Sequence, residues 1–362
     1  MKVVHVSQPV AAGVASVVLE LVRAQRDQGW SVVVVCPPGP LAERAHDLGV
    51  EVRAWSARRQ PGIGTVGEVV RLRRVLRDLA PDVVHLHSSK AGLVGRVVVR
   101  GKRPTLFQPH MWSFQTGTGL LGRASRAWER WAARWTHQLV CVSDEELAIG
   151  RAAGVGGPAE VVCNGVDVDR FRPSDRLAAR WRLGLPDLPT AVCVGRLAPL
   201  KGQDQLLAAW PAVRAKVPDA QLVLVGDGPM AERWRAEFDD DSVRWWGHDD
   251  SVADFYTAAD VVVLPSRDEG MALVPLEAMA SGRSVVAFDV SGVRQSVGEA
   301  GAVLPGGDVE ALAEAVVARL ADPASADLEG AHGRRRVELL FDRRQVADQV
   351  ATLVDKLVVG AR

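Results

Sequence analysis

Short runs of β-branched and other apolar residues alternate, along nearly the whole chain, with stretches whose apolar positions recur every three or four residues. In the first half the runs fall at 3–6, 32–35, 50–55, 83–87, 105–108, 139–142 and 161–163. Helical spacing appears between them, at 14–28, 67–79 and 120–136. The runs are apolar at odd and even positions alike, so both faces of each strand are expected to be covered. That pattern, broken by helices, predicts parallel sheets in an α/β fold. After Phe171-Arg172-Pro173 the rhythm restarts, with runs at 191–194, 222–225, 243–246, 261–264 and 285–288. Helices are predicted there at 203–216, 230–238, 251–258 and 308–321. The reading is two Rossmann-like domains, 1–172 and 173–340, joined through a Pro/Asp-rich segment at 173–189. A C-terminal helix at 341–362 is free to pack back on the first domain. Such sheets bind ligands beyond the carboxyl ends of their strands, so a central cleft between two facing edges is expected.

Length and composition narrow the class. The 362 residues suit two domains of ordinary size, and 48% hydrophobic content argues against disorder. Forty-four basic residues balance forty-four acidic ones, which argues against a nucleic-acid binder held by phosphate neutralisation. The balance hides an asymmetry: residues 1–172 carry 23 basic and 15 acidic side chains, and the remainder 21 and 29. A basic half suggests an anionic partner or docking between the halves. Cys36, Cys141, Cys163 and Cys193 stand singly, as buried thiols in a reducing compartment do. There is no apolar run of about 18 residues, and the sequence goes straight into MKVVHVS without a leader core, so a cytoplasmic location is expected.

The most informative segment runs from Arg267 to Gly282, RDEGMALVPLEAMASG, after the predicted strand 261–264. Pro275 suits the first helical position, with Val274 as N-cap and Glu277 in the first turn. Backbone amides around Gly270–Val274 then offer unpaired donors and a positive dipole end to an anion, flanked by Glu269 and Glu277. The bland alternative for Glu277 is a carboxylate that relieves the helix dipole. A second loop, Gly195-Arg196-Leu197-Ala198-Pro199-Leu200-Lys201-Gly202, follows the strand at 191–194. Its two cations are placed to neutralise a diphosphate, and it is not a Walker A loop.

These motifs, with Val225-Gly226-Asp227-Gly228-Pro229, resemble retaining glycosyltransferases of family 4 with the two-domain GT-B architecture. Gly13, His110 in Gln108-Pro109-His110, and Asn164-Gly165-Val166-Asp167 come in the matching order. The resemblance implies that the first domain binds the acceptor and the second a nucleotide sugar, a UDP-sugar first among candidates. It implies that Glu269 holds the sugar hydroxyls with amides of Gly270, Met271, Ala272 and Leu273, Val274 lining the donor and Glu277 binding the ribose. Arg196 and Lys201 would take the diphosphate, Gly13 and Gly228 would line the nucleotide side, and His110 would reach the transferred sugar. Glu269, His110, Arg196 and Lys201 form the implied catalytic set, with no metal and no cofactor beyond the donor co-substrate. The chain departs from the family's Gly-Phe-Gly at Gly270-Met271-Ala272, where a methyl is added to the loop.

Other signals compete. Gly226-Asp227-Gly228-Pro229-Met230-Ala231, with Asp249 and Asp250 about twenty residues on, loosely matches a dinucleotide fingerprint, which keeps an NAD(P)-dependent dehydrogenase as a remote alternative. Asp167-Val168-Asp169 and Asp239-Asp240-Asp241 imitate metal-binding acid pairs. An epimerase of the same architecture or a non-catalytic sugar-nucleotide sensor are the nearer alternatives to transfer. Ser88, Lys90 and Trp112 are assigned to a sugar-bearing acceptor, Lys90 for a phosphate on it, although Ser88 or Ser89 as a simple N-cap is the safer reading. In 120–136, Arg123, Arg126, Arg130 and Arg134 form one stripe and Trp128, Trp131 and Trp135 another. The tryptophans are expected to pack on the sheet, and peripheral contact with the inner face of an anionic cell membrane is the competing reading. A glycan, a lipid-linked sugar or a small molecule would serve as acceptor.

Overall fold

The computed structural model describes residues 1–58, 60–117, 119–249 and 251–360. The chain divides into two compact units, one of Met1–Asn164 with Arg344–Arg362 and one of Gly165–Arg343.

The first unit carries β1 (Lys2–Ser7), β2 (Ser31–Cys36), β3 (Glu51–Ala54), β4 (Val83–His87), β5 (Thr105–Gln108), β6 (Gln138–Cys141) and β7 (Ala159–Val161). They pair in the order β3-β2-β1-β4-β5-β6-β7, every pair parallel. β1 is central, with Val3 opposite Val32 on one side and Val83 on the other. Its even positions, Val4 and Val6, pack with Leu86, Phe107 and Trp112 on one face. On the other, Val3 joins Val83, Leu106 and Val140 beneath Val346, Val350 and Val354 of the helix Arg343–Gly360. The last helix therefore completes the core of this unit; residues 361 and 362 of the segment 341–362 lie outside the described residues. β7 begins two residues before the apolar run at 161–163, because its bounds follow from pairing Ala159, Glu160 and Val161 with β6.

The second unit carries β8 (Thr190–Val194), β9 (Gln221–Val225), β10 (Val243–Gly247), β11 (Val261–Leu264), β12 (Ser284–Phe288) and β13 (Ala302–Leu304). The order is β10-β9-β8-β11-β12-β13, again parallel in every pair. β13 gives no sequence signal, since it has three half-buried residues and owes its place to pairing with β12. β8, β9, β11 and β12 are almost wholly buried, as two-sided cover by helices requires.

Chain order reverses between β1 and β4 in the first sheet and between β8 and β11 in the second. At such a switch point the loops leaving neighbouring strands diverge to opposite faces and open a crevice for a ligand.

Candidate functional site

In the second unit the switch point brings together the loops after β8, β9 and β11. Glycines decide how closely. A Cβ on Gly202 would lie 1.9 Å from the Pro265 carbonyl oxygen, one on Gly226 2.1 Å from that of Gly195, and one on Gly228 2.2 Å from that of Leu197. The loops are also laced by backbone bonds: Leu197 N donates to Asp227 O (3.0 Å), Met230 N to Leu197 O (3.1 Å) and Arg267 N to Leu200 O (2.8 Å). Arg267 adds a two-pronged pair to Asp204 at 2.8 and 2.7 Å. The Gly226–Ala231 fingerprint is thus used to seat one loop on another. The neighbouring Asp249 accepts from Ser251 N (2.7 Å) within its own turn, and Asp250 lies outside the described residues.

Lys201 ends a single 3-10 turn, Pro199–Lys201, before Gly202 enters a left-handed conformation (φ 67°) and the helix Gln203–Lys216 begins. Its Nζ donates to Glu269 Oε1 at 2.5 Å, and Ser266 Oγ donates to the same oxygen at 2.8 Å. Glu269 is 7% exposed, and its Oε2 makes no hydrogen bond among the described residues. Arg196 is exposed, and its side chain has no partner among the described residues. The site thus holds one cation fixed to a buried carboxylate and one free, with a carboxylate oxygen left available.

The helix after β11 spans Leu273–Ala280, with Ala272 as N-cap. The expectation that Val274 caps it, with Pro275 first, is two residues late. Pro275 is tolerated at the third position because no amide of the first turn has an intrahelical acceptor. Leu273 and Val274 supply that turn's amides. Glu277 accordingly lies in the second turn, not the first, and does not serve the helix dipole. Tyr256 Oη donates to Glu277 Oε2 at 2.6 Å, and the Tyr256 ring is braced edge-on by Phe171 at 5.8 Å. Burial raises the Glu277 pKa, opposed by the Tyr256 bond and the Arg170 charge. Ala272 is extended (φ −68°, ψ 140°), so its methyl costs no backbone strain. Met271 and Ala272 are both buried, and Gly292 approaches closely enough that a Cβ would meet Gly270 O at 2.7 Å.

In the first unit Gly13 is exposed near the start of the helix Ala12–Asp27, where Ala12 takes a positive φ of 59°. His110 also has a left-handed backbone (φ 61°), and its Nε2 lies 3.2 Å from His87 Nδ1. His87 Nε2 lies 3.0 Å from His5 Nδ1, and His5 Nε2 2.8 Å from Gln25 Oε1. Burial lowers the pKa of His5 to about 4 and of His110 to about 3, and holds His85 and His87 well below the usual range. All four imidazoles are neutral at physiological pH. Nitrogens of His5, His85 and His87 also lie within 4.8 Å of one another, a donor set that can accept a metal ion, although the facing nitrogens of His5 and His87 are already hydrogen-bonded. No sequence motif pointed to Gln25, Tyr256 or Ser266. The only signal for the histidines was polar residues at positions 5, 85 and 87 of otherwise apolar runs.

The residues assigned to an acceptor sit elsewhere than expected. Lys90 is buried, paired with Glu68 Oε2 at 2.7 Å and bonded to Thr65 Oγ1 at 3.1 Å, so its charge is neutralised internally and is not available to a phosphate. Trp112 is a core residue at 1% exposure whose indole N–H donates to Glu146 O at 2.7 Å, so it cannot face a ligand. Ser88 is not an N-cap: His87 caps the helix Ser88–Val99, Ser88 has φ 77°, and its Oγ is buried without a hydrogen bond among the described residues. The imitation acid pairs are structural. Asp167 Oδ1 accepts from the amides of Asp169 (3.1 Å) and Arg170 (3.0 Å) while Oδ2 pairs with Arg343 at 2.9 Å, and Asp240 holds Ser242.

Comparison with known proteins places this geometry in a family. The family model described as Glycosyltransferase Family 4 matches residues 11–170, and that described as Glycosyl transferases group 1 matches 188–322. The chain is 39% identical over 209 residues to a GDP-mannose-dependent alpha-(1-6)-phosphatidylinositol monomannoside mannosyltransferase of Mycobacterium tuberculosis (strain ATCC 25618 / H37Rv), covering 52% of this chain and 54% of that protein. The match to this relative thus spans about half of its length. A GDP-mannose-dependent alpha-mannosyltransferase of Mycobacterium tuberculosis (strain CDC 1551 / Oshkosh) is 31% identical over 374 residues, covering 97% of this chain and 92% of the relative. Among solved structures, a sucrose-phosphate synthase from Thermosynechococcus elongatus superposes with a TM-score of 0.86 at 25% identity, covering 99% of this chain and 100% of that one. The two parallel-sheet α/β domains are those of GT-B glycosyltransferases, and the chain belongs to the group 1 glycosyltransferases of family 4.

Proposed function

We propose that the protein transfers a hexose from a nucleoside diphosphate sugar to a sugar-bearing acceptor, with retention of anomeric configuration and without a metal ion. The observation that carries this reading is the Lys201–Glu269 pair at the second switch point. An ammonium held at 2.5 Å on one carboxylate oxygen leaves the other oxygen for sugar hydroxyls, and Arg196 stands unpaired on the same loop. In the reaction the bond from the anomeric carbon to phosphate oxygen breaks, and its electron pair goes to the phosphate. The acceptor oxygen bonds to that carbon and its proton passes to the departing phosphate. Negative charge therefore grows on the diphosphate, where Lys201, Arg196 and the Leu273 and Val274 amides stabilise it without reorganisation. Glu277 takes the ribose and Glu269 the transferred sugar, whose positive character in the transition state suits a nearby carboxylate.

GDP-mannose is the first donor to test, since two aligned relatives are named for it, and a UDP-sugar the second. The acceptor we favour is a lipid-linked sugar, because the helix Gly119–Ala132 exposes Leu120 and Leu121 beside Arg123 and Arg126, a face suited to an anionic membrane. No described helix is long and apolar enough to cross one. Arg196→Ala removes a side chain without described partners, and Glu269→Gln keeps its shape. Each is expected to lower kcat/KM by about 10²- to 10³-fold, the range for losing one preorganised charge-stabilising group, with unchanged circular dichroism. Near-normal turnover in both variants would remove the assignment.

A further inference from the structure

The contacts Gln25–His5–His87–His110 form one continuous hydrogen-bonded line from the last turn of the helix Ala12–Asp27 to the loop after β5. We propose that Gln25 is a positioning residue which, through His5 and His87, fixes the tautomer of His110 with the proton on Nε2 and a bare Nδ1.

The argument is one of counting protons. A neutral imidazole has one N–H and one bare nitrogen. Gln25 presents Oε1, an acceptor only, so His5 Nε2 carries the proton and His5 Nδ1 is bare. The nitrogen facing it at 3.0 Å, His87 Nε2, must then donate, which leaves His87 Nδ1 bare. His110 Nε2 must donate to that atom at 3.2 Å, and His110 Nδ1 is left as the open acceptor. Turning the Gln25 amide over would present an N–H₂ group instead and invert every tautomer down the line. A side chain three residues removed in the relay thus selects the chemical character of the one histidine that keeps partial exposure.

The surroundings preserve this logic. Gln25, His5, His85 and His87 are at most 1% exposed, so water does not compete for the nitrogens. His85 lies against His87 with centroids 3.9 Å apart and ring planes tilted by 33°, and neither of its nitrogens has a hydrogen bond among the described residues, so it walls the line without joining it. A carboxylate at the far end would favour an imidazolium, as in hydrolase triads; an amide orients without adding charge. The left-handed backbone at His110 is the kind of local strain that persists where a side chain must be held in place. The consequence for catalysis rests on the proposed function: a bare Nδ1 on a neutral ring accepts a hydrogen bond from a hydroxyl of a sugar bound to this unit.

The test is long-range ¹H–¹⁵N correlation spectroscopy on full-length protein labelled with ¹⁵N-histidine, at neutral pH and without donor. Protonated and bare ring nitrogens resonate far apart, so each tautomer is read directly. His5, His87 and His110 are all expected as the Nε2–H form in the unaltered protein. A proton on Nδ1 of any of them overturns the proposal, as does a metal ion bridging His5 and His87, which would leave both facing nitrogens bare. Gln25→Leu, which removes the acceptor, should bring in the Nδ1–H form. An unchanged His110 spectrum in folded Gln25→Leu also overturns it. Because no turnover is involved, the relay stands or falls apart from the transferase assignment. Should the tautomer change in Gln25→Leu while kcat and KM stay constant, the relay is upheld and the role of His110 in transfer is lost.

Discussion

Two carboxylates in the second unit, Glu269 buried and Glu277 half-buried, are tuned in different ways. Glu269 is held by an ammonium and a hydroxyl on one oxygen, whereas Glu277 accepts from the Tyr256 hydroxyl, feels the Arg170 charge, and is pushed toward protonation by burial. Tyr256→Phe removes the bond that favours the charged form, so the Glu277 pKa should rise further. Binding that needs this carboxylate ionised is present above its pKa and lost as pH falls through it. In the variant that loss should therefore begin at higher pH. Under the proposed assignment of Glu277 to the ribose, donor KM near neutrality should increase about tenfold, the worth of one hydrogen bond to a charged group, with kcat much less affected. Donor KM measured across pH 5 to 8 checks this, and an identical profile in both proteins would show that Tyr256 does not support the site.

Among the elements, the loops after β8 and β9 illustrate how one sequence feature can carry a different meaning from the one its spacing suggests. Gly226 and Gly228 fall at fingerprint positions, yet each makes room for a carbonyl of the neighbouring loop. Gly228→Ala would set a Cβ 2.2 Å from Leu197 O, against backbone that cannot swing aside as a side-chain tip can. A cost of about 1–3 kcal/mol is expected, the usual range for overpacking, read as a lower midpoint of urea unfolding. Donor affinity should fall with it, since the displaced loop carries Arg196. The register of short elements is similarly set by neighbours: β7 and β13 take their limits from β6 and β12 rather than from their own apolar content.

For the whole molecule, net neutrality conceals a first half with 23 basic and 15 acidic side chains. Within that half the helix Gly119–Ala132 leaves Leu120 82%, Leu121 67% and Trp131 44% exposed, while buried Glu129 pairs with Arg96 at 2.7 Å and anchors the opposite face. The three tryptophans of the stripe pack on one another, Trp128 and Trp135 half-buried and Trp131 exposed, rather than entering the core of the sheet, and Arg134 lies over the Trp131 ring at 4.4 Å. Co-sedimentation with anionic vesicles at low salt is the expected outcome, weakened by salt and by Leu120→Glu with Leu121→Glu. Equal recovery with neutral and anionic vesicles would reject membrane contact through this helix.

The sequence by itself determined the fold class, the two βα series and the loops that carry Arg196, Lys201, Glu269 and Glu277. Apolar runs with two covered faces, glycine punctuation and charge at strand ends are local properties, and local chemistry is what a chain displays. Tertiary structure alone decided what those groups do to one another. Lys201 and Glu269 meet because β8 and β11 pair out of chain order, and Tyr256 and Glu277, or Lys90 and Glu68, meet only once successive helices pack together. Whether a lysine faces a ligand or is neutralised inside, and which nitrogen of a histidine holds its proton, depends on burial and on the partner at hydrogen-bond distance. Neither quantity exists until the sheets have formed.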